Sequence, residues 1–345
     1  MKLSMSLNYS GDPVQAANEA AELEKAGVDM IWVAELYSFD AVSILGYLAA
    51  KTEKMELASG IFPIYSRTPT LTAMTAAGLD AVSGGRFNLG LGASGPQVIE
   101  GWHGVPYKKP LAATREVIEI CRKVWRREKV EHDGDIYQLP LPADQGTGLG
   151  KPLKLINHPV RENIPIWIAS LGPKNVELTA EMADGWLPVF FHPDRARQVW
   201  GDDLEAGNRK RDAELAPLEV VAGGSLAICD EDTAEKIRNG GRMMTALYVG
   251  GMGAKGKNFY NNIFQKYGYE EDAEKIQDLY LSGQKDSAEA LVPDDFLKST
   301  AMVGDEGWVR ERVEAYQAAG VTRLSINPIG PQPSAPTAAR CLSRG

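Results

Sequence analysis

The sequence predicts an α/β fold of the TIM-like (β/α)8 barrel class, with insertions. Short β-rich apolar runs alternate with helical patterns along the chain, which is the order that a parallel sheet with crossover helices requires. Eight such strands can be counted, and a barrel with insertions reaches a length of 345 residues. A doubly wound open sheet is the competing architecture. The number of strands favours one barrel over two smaller domains.

The first unit shows the pattern most clearly. The run KLSMSLNY at 2–9 is typical of a strand, and the next run is typical of a helix. That helix has Asp12 as its N-cap, Pro13 at its first position and Gly27 at its end. We predict the eight strands at 2–9, 28–35, 54–62, 86–93, 164–170, 184–191, 218–230 and 321–329.

The helices between these strands carry apolar residues at helical spacing. We predict helices at 12–27, 38–52, 69–85, 110–127, 173–183, 193–213 and 304–320. In the third helix the spaced residues are Leu71, Met74, Gly78, Leu79 and Val82. In the fourth helix the predicted buried stripe is Val117, Ile118, Cys121, Val124 and Trp125.

Two insertions interrupt the alternation, near 128–160 and 250–300. The run KVEHDGDIYQL predicts a hairpin that turns at Asp133-Gly134, and the Pro- and Gly-rich stretch 140–158 predicts an excursion over one face. A longer polar helical stretch is predicted at 231–298.

The domain prediction is therefore a single barrel domain over 1–330. The remaining run, 331–345, has the composition of a flexible C-terminal tail.

The bulk composition excludes several classes of protein. The net charge of −9, from 46 acidic and 37 basic residues, argues against a nucleic-acid partner, which needs a basic field. Three cysteines without short spacing suit a reducing compartment better than a disulfide framework. No signal-like start and no long apolar run is present, so we expect a cytoplasmic protein without a membrane partner.

Catalytic residues of a barrel lie at the C-terminal ends of its strands. The four histidines form neither an HxH nor an HExxH pattern, so we expect no metal site. A GxSxG elbow, a GxGxxG motif with its acid and a Walker loop are also missing. These exclusions favour a bound cofactor that supplies its own chemistry.

Two turns that follow strands have the composition of anion sites. In ASLGPKNVELTAEMADG a glycine precedes Pro173 and Lys174 at the start of a helix, where free N–H groups and the helix dipole attract phosphate. An ordinary turn between a strand and a helix has the same composition. The run LGLGASG supplies a second flexible turn on the adjacent strand.

The run LASGIFPIYSRTPTLTAMTAAGLDAVSGGRFNLGLGASGPQVIEGWHGVPY resembles the luciferase-like flavin and deazaflavin oxidoreductases, most closely the branch that uses coenzyme F420. The resemblance extends over almost the whole chain and implies a TIM-like barrel that is usually a homodimer. It implies a non-prolyl cis peptide at Gly60-Ile61. It also implies a phosphate site, formed by Ala93, Ser94, Gly95, Ser170, Leu171, Gly172 and Pro173.

One departure from the relatives bears on proton transfer. Some deazaflavin dehydrogenases have Asp–His after the second strand, where this chain has Glu35-Leu36. We take His103, in the loop after the fourth strand, as the replacement acid or base, with Glu35 and Tyr37 as other donors.

Further side chains are assigned to the walls of the site. Phe62, Tyr37 and Trp102 would form the substrate pocket. Arg67 and Lys174, with Lys108 and Lys109, would form a local basic cluster for the anionic cofactor tail. Each aromatic could instead be core packing, and each cation could be a solvated surface residue.

The resemblance thus implies hydride transfer between the deazaflavin C5 and a small organic carbonyl, activated alkene or alcohol. One alternative is an FMN-dependent luciferase-like monooxygenase that is served by a separate reductase. The other is a barrel that binds deazaflavin or flavin without catalysis, for which the loss of the histidine at Leu36 is the motive.

Overall fold

The computed structural model of the protein describes residues 1–330, so the tail predicted at 331–345 lies outside the described residues. Its strands are β1 Lys2–Ser6, β2 Met30–Val33, β3 Glu56–Ser59, β4 Phe62–Pro63, β5 Phe87–Gly92, β6 His132–Asp133, β7 Gln138–Leu139, β8 Ile166–Ala169, β9 Gly185–Trp186, β10 Glu219–Ile228, β11 Met302–Gly304 and β12 Arg323–Pro328. Its helices are α1 Pro13–Lys25, α2 Ala41–Lys51, α3 Pro69–Val82, α4 Pro96–Gly101, α5 Pro110–Trp125, α6 Pro173–Met182, α7 Ala196–Asn208, α8 Glu231–Asn239, α9 Arg242–Ala246, α10 Phe259–Lys266, α11 Glu270–Leu281, α12 Lys285–Ala290, α13 Asp294–Thr300 and α14 Glu306–Ala318.

Eight parallel strands close into a barrel. The hydrogen-bonded order is β12-β1-β2-β3-β5-β8-β9-β10, and β10 pairs with β12 to complete the ring. The fold is therefore a TIM barrel, as the alternation of strands and helices predicted. The short strand β11 pairs with the C-terminal half of β10.

The third predicted strand is divided in two. The peptide bond Gly60-Ile61 is cis, as the resemblance implied, and it separates β3 from β4, which pairs with the end of β5. A Cβ on Gly60 would lie 3.2 Å from the Trp32 Cβ, so the backbone is packed closely against that indole.

Local sequence signals place most helix boundaries. The Asp12 carboxylate caps α1 by accepting the N–H groups of Val14 and Gln15, and Gly27 follows the helix at φ +94°. The apolar stripe predicted for α5 is buried along its whole length. The hairpin is also confirmed, because β6 and β7 pair as antiparallel strands.

Two predictions about elements need correction. The third helix, α3, buries Ala73, Ala76 and Leu79, whereas Leu71, Met74 and Val82 of the predicted stripe are exposed. Small side chains fit this helix against its neighbours, so its larger side chains are left outside. The second correction concerns a boundary, because the strand predicted at 184–191 is only the two-residue β9. The helical stretch predicted at 231–298 is confirmed and consists of six helices and a π-helical turn at Leu247–Gly251. Neither α4 nor β11 was predicted from the sequence.

Side chains of the barrel strands alternate between the helical layer and the lumen. On β2, Ile31 and Val33 belong to the apolar core between sheet and helices. Met30 and Trp32 point the other way, into an inner cluster with Trp167.

The N-terminal end of the lumen is closed by ion pairs. The Arg323 guanidinium lies 5.4 Å from the Trp167 ring centre, and contacts the Glu56 carboxylate at 3.0 Å and that of Glu219 at 2.6 Å. Burial by itself would raise the pKa of Glu56, but Arg323 and Lys2 outweigh it and hold this pKa below its ordinary value. Among residues 1–330, no helix is long and apolar enough to cross a membrane.

Candidate active site

Three neighbouring strands bring the predicted cofactor residues to one side of the barrel mouth. β4 is paired with β5 at Phe62 and Leu91, and β5 is paired with β8 at Gly92 and Ala169. The cis peptide Gly60-Ile61, which precedes β4, is therefore adjacent to the turns 93–95 and 170–173, which follow β5 and β8. A planar ligand with an anionic tail could lie across them.

The turn after β5 is fixed by two tyrosines. Ser94 has a left-handed backbone (φ 57°), and the Tyr107 hydroxyl donates to its carbonyl oxygen at 3.3 Å. The Tyr65 ring packs 5.3 Å from that of Tyr107, and the Tyr65 hydroxyl donates to the carbonyl of Lys108 at 2.7 Å. Burial raises the pKa of both tyrosines, so both remain neutral donors.

The turn after β8 presents backbone groups while its side chains point elsewhere. The Ser170 hydroxyl is buried against that of Thr179, at 2.8 Å. Trp200 Nε1 donates to the Leu171 carbonyl at 3.0 Å. Gly172 is the N-cap of α6, and within the described chain no side chain caps this helix, so the N–H of Lys174 in the first turn remains for an anion.

The predicted basic cluster does not form as an unpaired group of charges. Lys174 is exposed and bonds Glu177 at 2.9 Å, and Lys109 lies 3.3 Å from Asp135. Each of these cations has its own carboxylate. Backbone N–H groups are thus better placed than these side chains to hold a phosphodiester.

Arg67 and Glu35 form a buried ion pair behind the mouth. The two Arg67 nitrogens lie 2.5 and 2.7 Å from the two Glu35 oxygens, and the N–H of Ala41 donates to Glu35 at 3.0 Å. Glu35 is 8% exposed. Both of its oxygens are occupied, which favours a role in positioning the loop after β4 over proton transfer.

Phe62 does not form a wall of the pocket, contrary to the sequence prediction. It is 1% exposed, its ring is stacked on Phe87 at 6.4 Å, and the Arg67 guanidinium covers it at 4.4 Å. Alternation on β4 directs this ring into the core between sheet and helices, where no ligand can reach it.

The other predicted side chains lie at the rim. Tyr37 and Trp102 are each 67% exposed, with ring centres 6.4 Å apart. His103 follows α4 and is half-buried, and its Nε2 atom has no hydrogen-bond partner in the described part of the chain. A buried imidazole nitrogen without a partner is suited to a ligand's hydroxyl or carbonyl oxygen.

The amino-acid sequence of the chain has a match among known protein families. It matches the profile described as luciferase-like monooxygenase over residues 2–323. The chain belongs to this family.

Two relatives match most of the chain. A protein of Mycobacterium tuberculosis that is named as a coenzyme F420-dependent oxidoreductase is 41% identical over 94% of each chain. The 5,10-methylenetetrahydromethanopterin reductase of Archaeoglobus fulgidus is 31% identical, over 89% of this chain and 88% of its own.

Solved structures show the same luciferase-like fold. The coenzyme F420-dependent tetrahydromethanopterin reductase from Methanopyrus kandleri superimposes with a TM-score of 0.79 at 24% identity, covering 99% of this chain and 97% of that chain. An F420-dependent secondary alcohol dehydrogenase superimposes with a TM-score of 0.73 at 19% identity, covering 99% and 98%.

Sequence reasoning gave no role to the small polar side chains inside this luciferase-like barrel. Ser6 and Asn327 face the lumen near the mouth and are exposed, and Ser225 lies beside Asn327. The alternation of polar and apolar residues in KLSMSLN is the signal that could have found Ser6, because one-sided polarity at period two marks a strand face.

A separate surface cleft of about 560 Å³ lies between α5 and the β6–β7 hairpin. It is lined by polar residues such as Glu119 and His132, away from every strand end that forms the mouth. Among residues 1–330, no group of three or more His, Cys, Asp or Glu side chains could hold a metal ion.

Proposed function

We propose that the protein is a coenzyme F420-dependent oxidoreductase that transfers a hydride between the deazaflavin C5 and a small organic carbonyl, activated alkene or alcohol. The observation that carries the choice of cofactor is the 41% identity, over 94% of the chain, to a relative named for coenzyme F420. The adjacent strand ends agree with it, because they bring the Gly60-Ile61 peptide, the turn 93–95 and the uncapped start of α6 to one side of the mouth.

The residues at the mouth suit each part of such a cofactor. The Gly60-Ile61 peptide would support the ring from behind, and the backbone of Ser94, Gly95 and Gly172 would hold the phosphate. When bound, the deazaflavin supplies a carbon centre that gives or accepts a hydride but activates oxygen poorly. The chain's own task is then to orient the substrate, exclude water and move one proton.

His103 is the best-placed residue for that proton. Reduction of a carbonyl adds a hydride to carbon and a proton to oxygen, and oxidation of an alcohol removes both. The unpartnered His103 Nε2 can exchange this proton, whereas Glu35 is held by Arg67 and Tyr37 is largely in solvent.

Cofactor titration tests the proposal. We expect the absorbance of coenzyme F420 to shift on addition of the protein, with saturable binding, and FMN to bind weakly. Tight FMN binding without deazaflavin binding would instead indicate the monooxygenase. Saturable deazaflavin binding without hydride exchange across aldehydes, ketones, enones and alcohols would indicate a binding protein.

We also propose a homodimer that is formed through α3. The exposed side chains of this helix, Leu71, Met74 and Val82, are apolar, and the face carries no charge, so two copies can meet on it without repulsion. Met74→Glu with Val82→Glu should convert a dimer into a monomer by light scattering. Leu281→Glu, at an equally exposed apolar position on α11, is the control and should leave the mass unchanged.

The proposed location is the cytoplasm, on the ground of the unpaired thiols. Cys121 and Cys229 are both free in the described chain. Fractionation of cells that express the protein should place it with cytoplasmic markers, and recovery with the membrane or secreted fraction would contradict this location.

A further inference from the structure

The lumen side of three consecutive strands, β10, β12 and β1, carries a row of small polar residues. On β1, Ser6 pairs with Trp32, whose indole lies in the inner cluster. On β12, Ser325 and Asn327 lie two and four residues beyond Arg323, which also faces the lumen. Paired residues in parallel strands point to the same face, so all of these side chains face inward.

These positions form an open cup above an aromatic floor. Ser225 of β10 pairs with Asn327 and completes the set, so we define the polar cup as Ser6, Ser225, Ser325 and Asn327. Ser6 and Asn327 are exposed and the other two are half-buried. An inward-facing side chain of a closed barrel can meet solvent only where the lumen is open, so the cup is accessible from the mouth.

The floor of the cup is closed by two indoles. Trp32 and Trp167 meet edge to face, with ring centres 5.3 Å apart. Trp32 Nε1 and Ser4 Oγ lie at this level without a hydrogen-bond partner among residues 1–330. Both atoms are buried, so they belong to the floor and leave hydrogen bonding inside the cup to its serine and asparagine side chains.

The position of the cup relative to the predicted cofactor residues separates two binding surfaces. Around the ring, β3, β5 and β8 form one side, while β10, β12 and β1 form the other, with β2 and β9 between them. A ring held at the first side would leave the polar cup facing its opposite edge or face.

The charge of the lumen limits what the cup can bind. Between the floor and the rim, the lumen-facing positions of the described strands carry serine, asparagine, glycine and alanine, and no charged residue. The lumen-facing cations of the described strands, Arg323 and Lys2, lie below the floor and are already paired with Glu56 and Glu219. Placing a carboxylate or phosphate in this cup would remove its water without supplying a counter-charge.

We propose that the polar cup selects substrates by an uncharged, hydrogen-bonding end, such as a ketone or a secondary alcohol, and rejects carboxylates and phosphates. This inference rests on the proposed function and names its class of substrate. Ser225 and Asn327 are its specificity-determining residues, because they donate and accept hydrogen bonds without charge.

A pair of ligands that differ only in charge tests the proposal. Cyclohexanone and 4-oxocyclohexanecarboxylate are titrated into the protein, with and without coenzyme F420, and binding is followed by ligand-observed NMR. We expect the neutral ketone to bind at least about tenfold more tightly, since an unpaired carboxylate loses more than one hydrogen bond to water. Equal or tighter binding of the carboxylate, or no binding of the ketone in either state, would overturn the proposal.

Asn327→Lys places a cation in the cup at an exposed position. We expect it to reverse the preference toward the carboxylate by at least about tenfold, because a charge-assisted hydrogen bond replaces a neutral one. The control is Ser282→Lys, an exposed position after α11 that adds the same charge outside the lumen. An unchanged ligand ratio in Asn327→Lys would contradict the proposal.

The same samples distinguish this inference from the proposed function. Coenzyme F420 affinity is measured on each variant by its absorbance. If the unmodified protein does not bind coenzyme F420, the proposed function is refuted, whether or not the ketone binds. Normal coenzyme binding with no discrimination by ligand charge refutes only the role of the cup.

Discussion

At the two ends of the barrel, different polar groups have partners: carboxylates are held by cations at one end, whereas ring nitrogens lack a hydrogen-bond partner at the other. At the N-terminal end, Arg323 and Lys2 hold Glu56, and Asn88 bonds both Glu56 and Trp167. At the C-terminal end, Trp32 Nε1 and His103 Nε2 have no partner in the described chain, and aromatic rings stand in solvent. The first arrangement maintains the fold, whereas the second leaves groups available for a ligand.

The largest effect is expected on activity, from the substitution His103→Asn at the mouth. If His103 moves the substrate proton, kcat/KM should fall by about 100- to 10,000-fold. The free energy of unfolding should change little, because the side chain makes no buried hydrogen bond at Nε2. Steady-state kinetics and urea unfolding of the same samples separate the two effects. Unchanged turnover at every pH would exclude His103 as the group that moves the substrate proton.

The opposite outcome is expected from Arg323→Met at the closed end. Removing this guanidinium leaves Glu56 and Glu219 without their main partner, which should cost about 3–5 kcal/mol of the free energy of unfolding. Asn327→Ala, on the same strand but at the mouth, is the matched control and should cost less than about 0.5 kcal/mol. Equal urea midpoints for the two variants would remove the distinction between the ends.

A third test concerns acid stability beside the mouth. Burial and, to a smaller extent, the Arg195 guanidinium lower the pKa of His192 from 6.5 to about 4. The unfolded chain therefore binds a proton below pH 6.5 that the native state does not bind until about pH 4. Stability from the neutral imidazole is complete above pH 6.5 and falls by about 3 kcal/mol as the pH approaches 4.

Urea unfolding between pH 4.5 and 7.5 checks this dependence. We expect His192→Leu to flatten the slope, because the residue that takes up the proton on unfolding is gone. An equally steep slope in His192→Leu would assign the acid sensitivity to other groups.

The smallest effect is expected from Gly172→Ala in the turn after β8. A Cβ there would lie 3.0 Å from the Phe259 ring, which is exposed and can move, so the free energy of unfolding should change by less than about 1 kcal/mol. Coenzyme affinity should nevertheless decrease severalfold, because the methyl group and the displaced ring both lie beside the turn. The added change Phe259→Ala should restore the affinity, and fluorescence titration measures both variants. If the added change does not restore it, the methyl group weakens coenzyme binding through a contact other than that with Phe259.

Sequence patterns predicted the parts of the molecule that depend on local order. Alternation of strands and helices gave the barrel, and Asp12 and Gly27 gave the ends of a helix. Contacts between distant residues were not accessible in the same way. Glu35 and Arg67 are 32 residues apart, and nothing in either neighbourhood indicates that each neutralises the other. Phe62 was assigned to the pocket because it ends the predicted strand 54–62, but alternation on β4 directs its ring into the core between sheet and helices.

The same distinction, between local sequence order and contacts made only in the folded chain, applies to the site residues. Glycine turns after β5 and β8 could be found because a helix start after a glycine has a recognisable composition. His103 could be proposed, but its unpartnered Nε2 appears only once the loop is folded. Ser6 and Asn327 meet solvent because the barrel is open above its floor, and this depends on the sizes of side chains from several strands.

The position of the polar cup has a practical consequence for changing what the protein accepts. The groups expected to hold the cofactor come from the middle of the chain, between residues 60 and 175, whereas those of the cup come from its first strand and from the segment after residue 219. Libraries that randomise Ser6, Ser225 and Asn327 together would explore new chemistry without disturbing the coenzyme. Exchange of half-barrels between relatives could combine the substrate selectivity of one protein with the cofactor site of another.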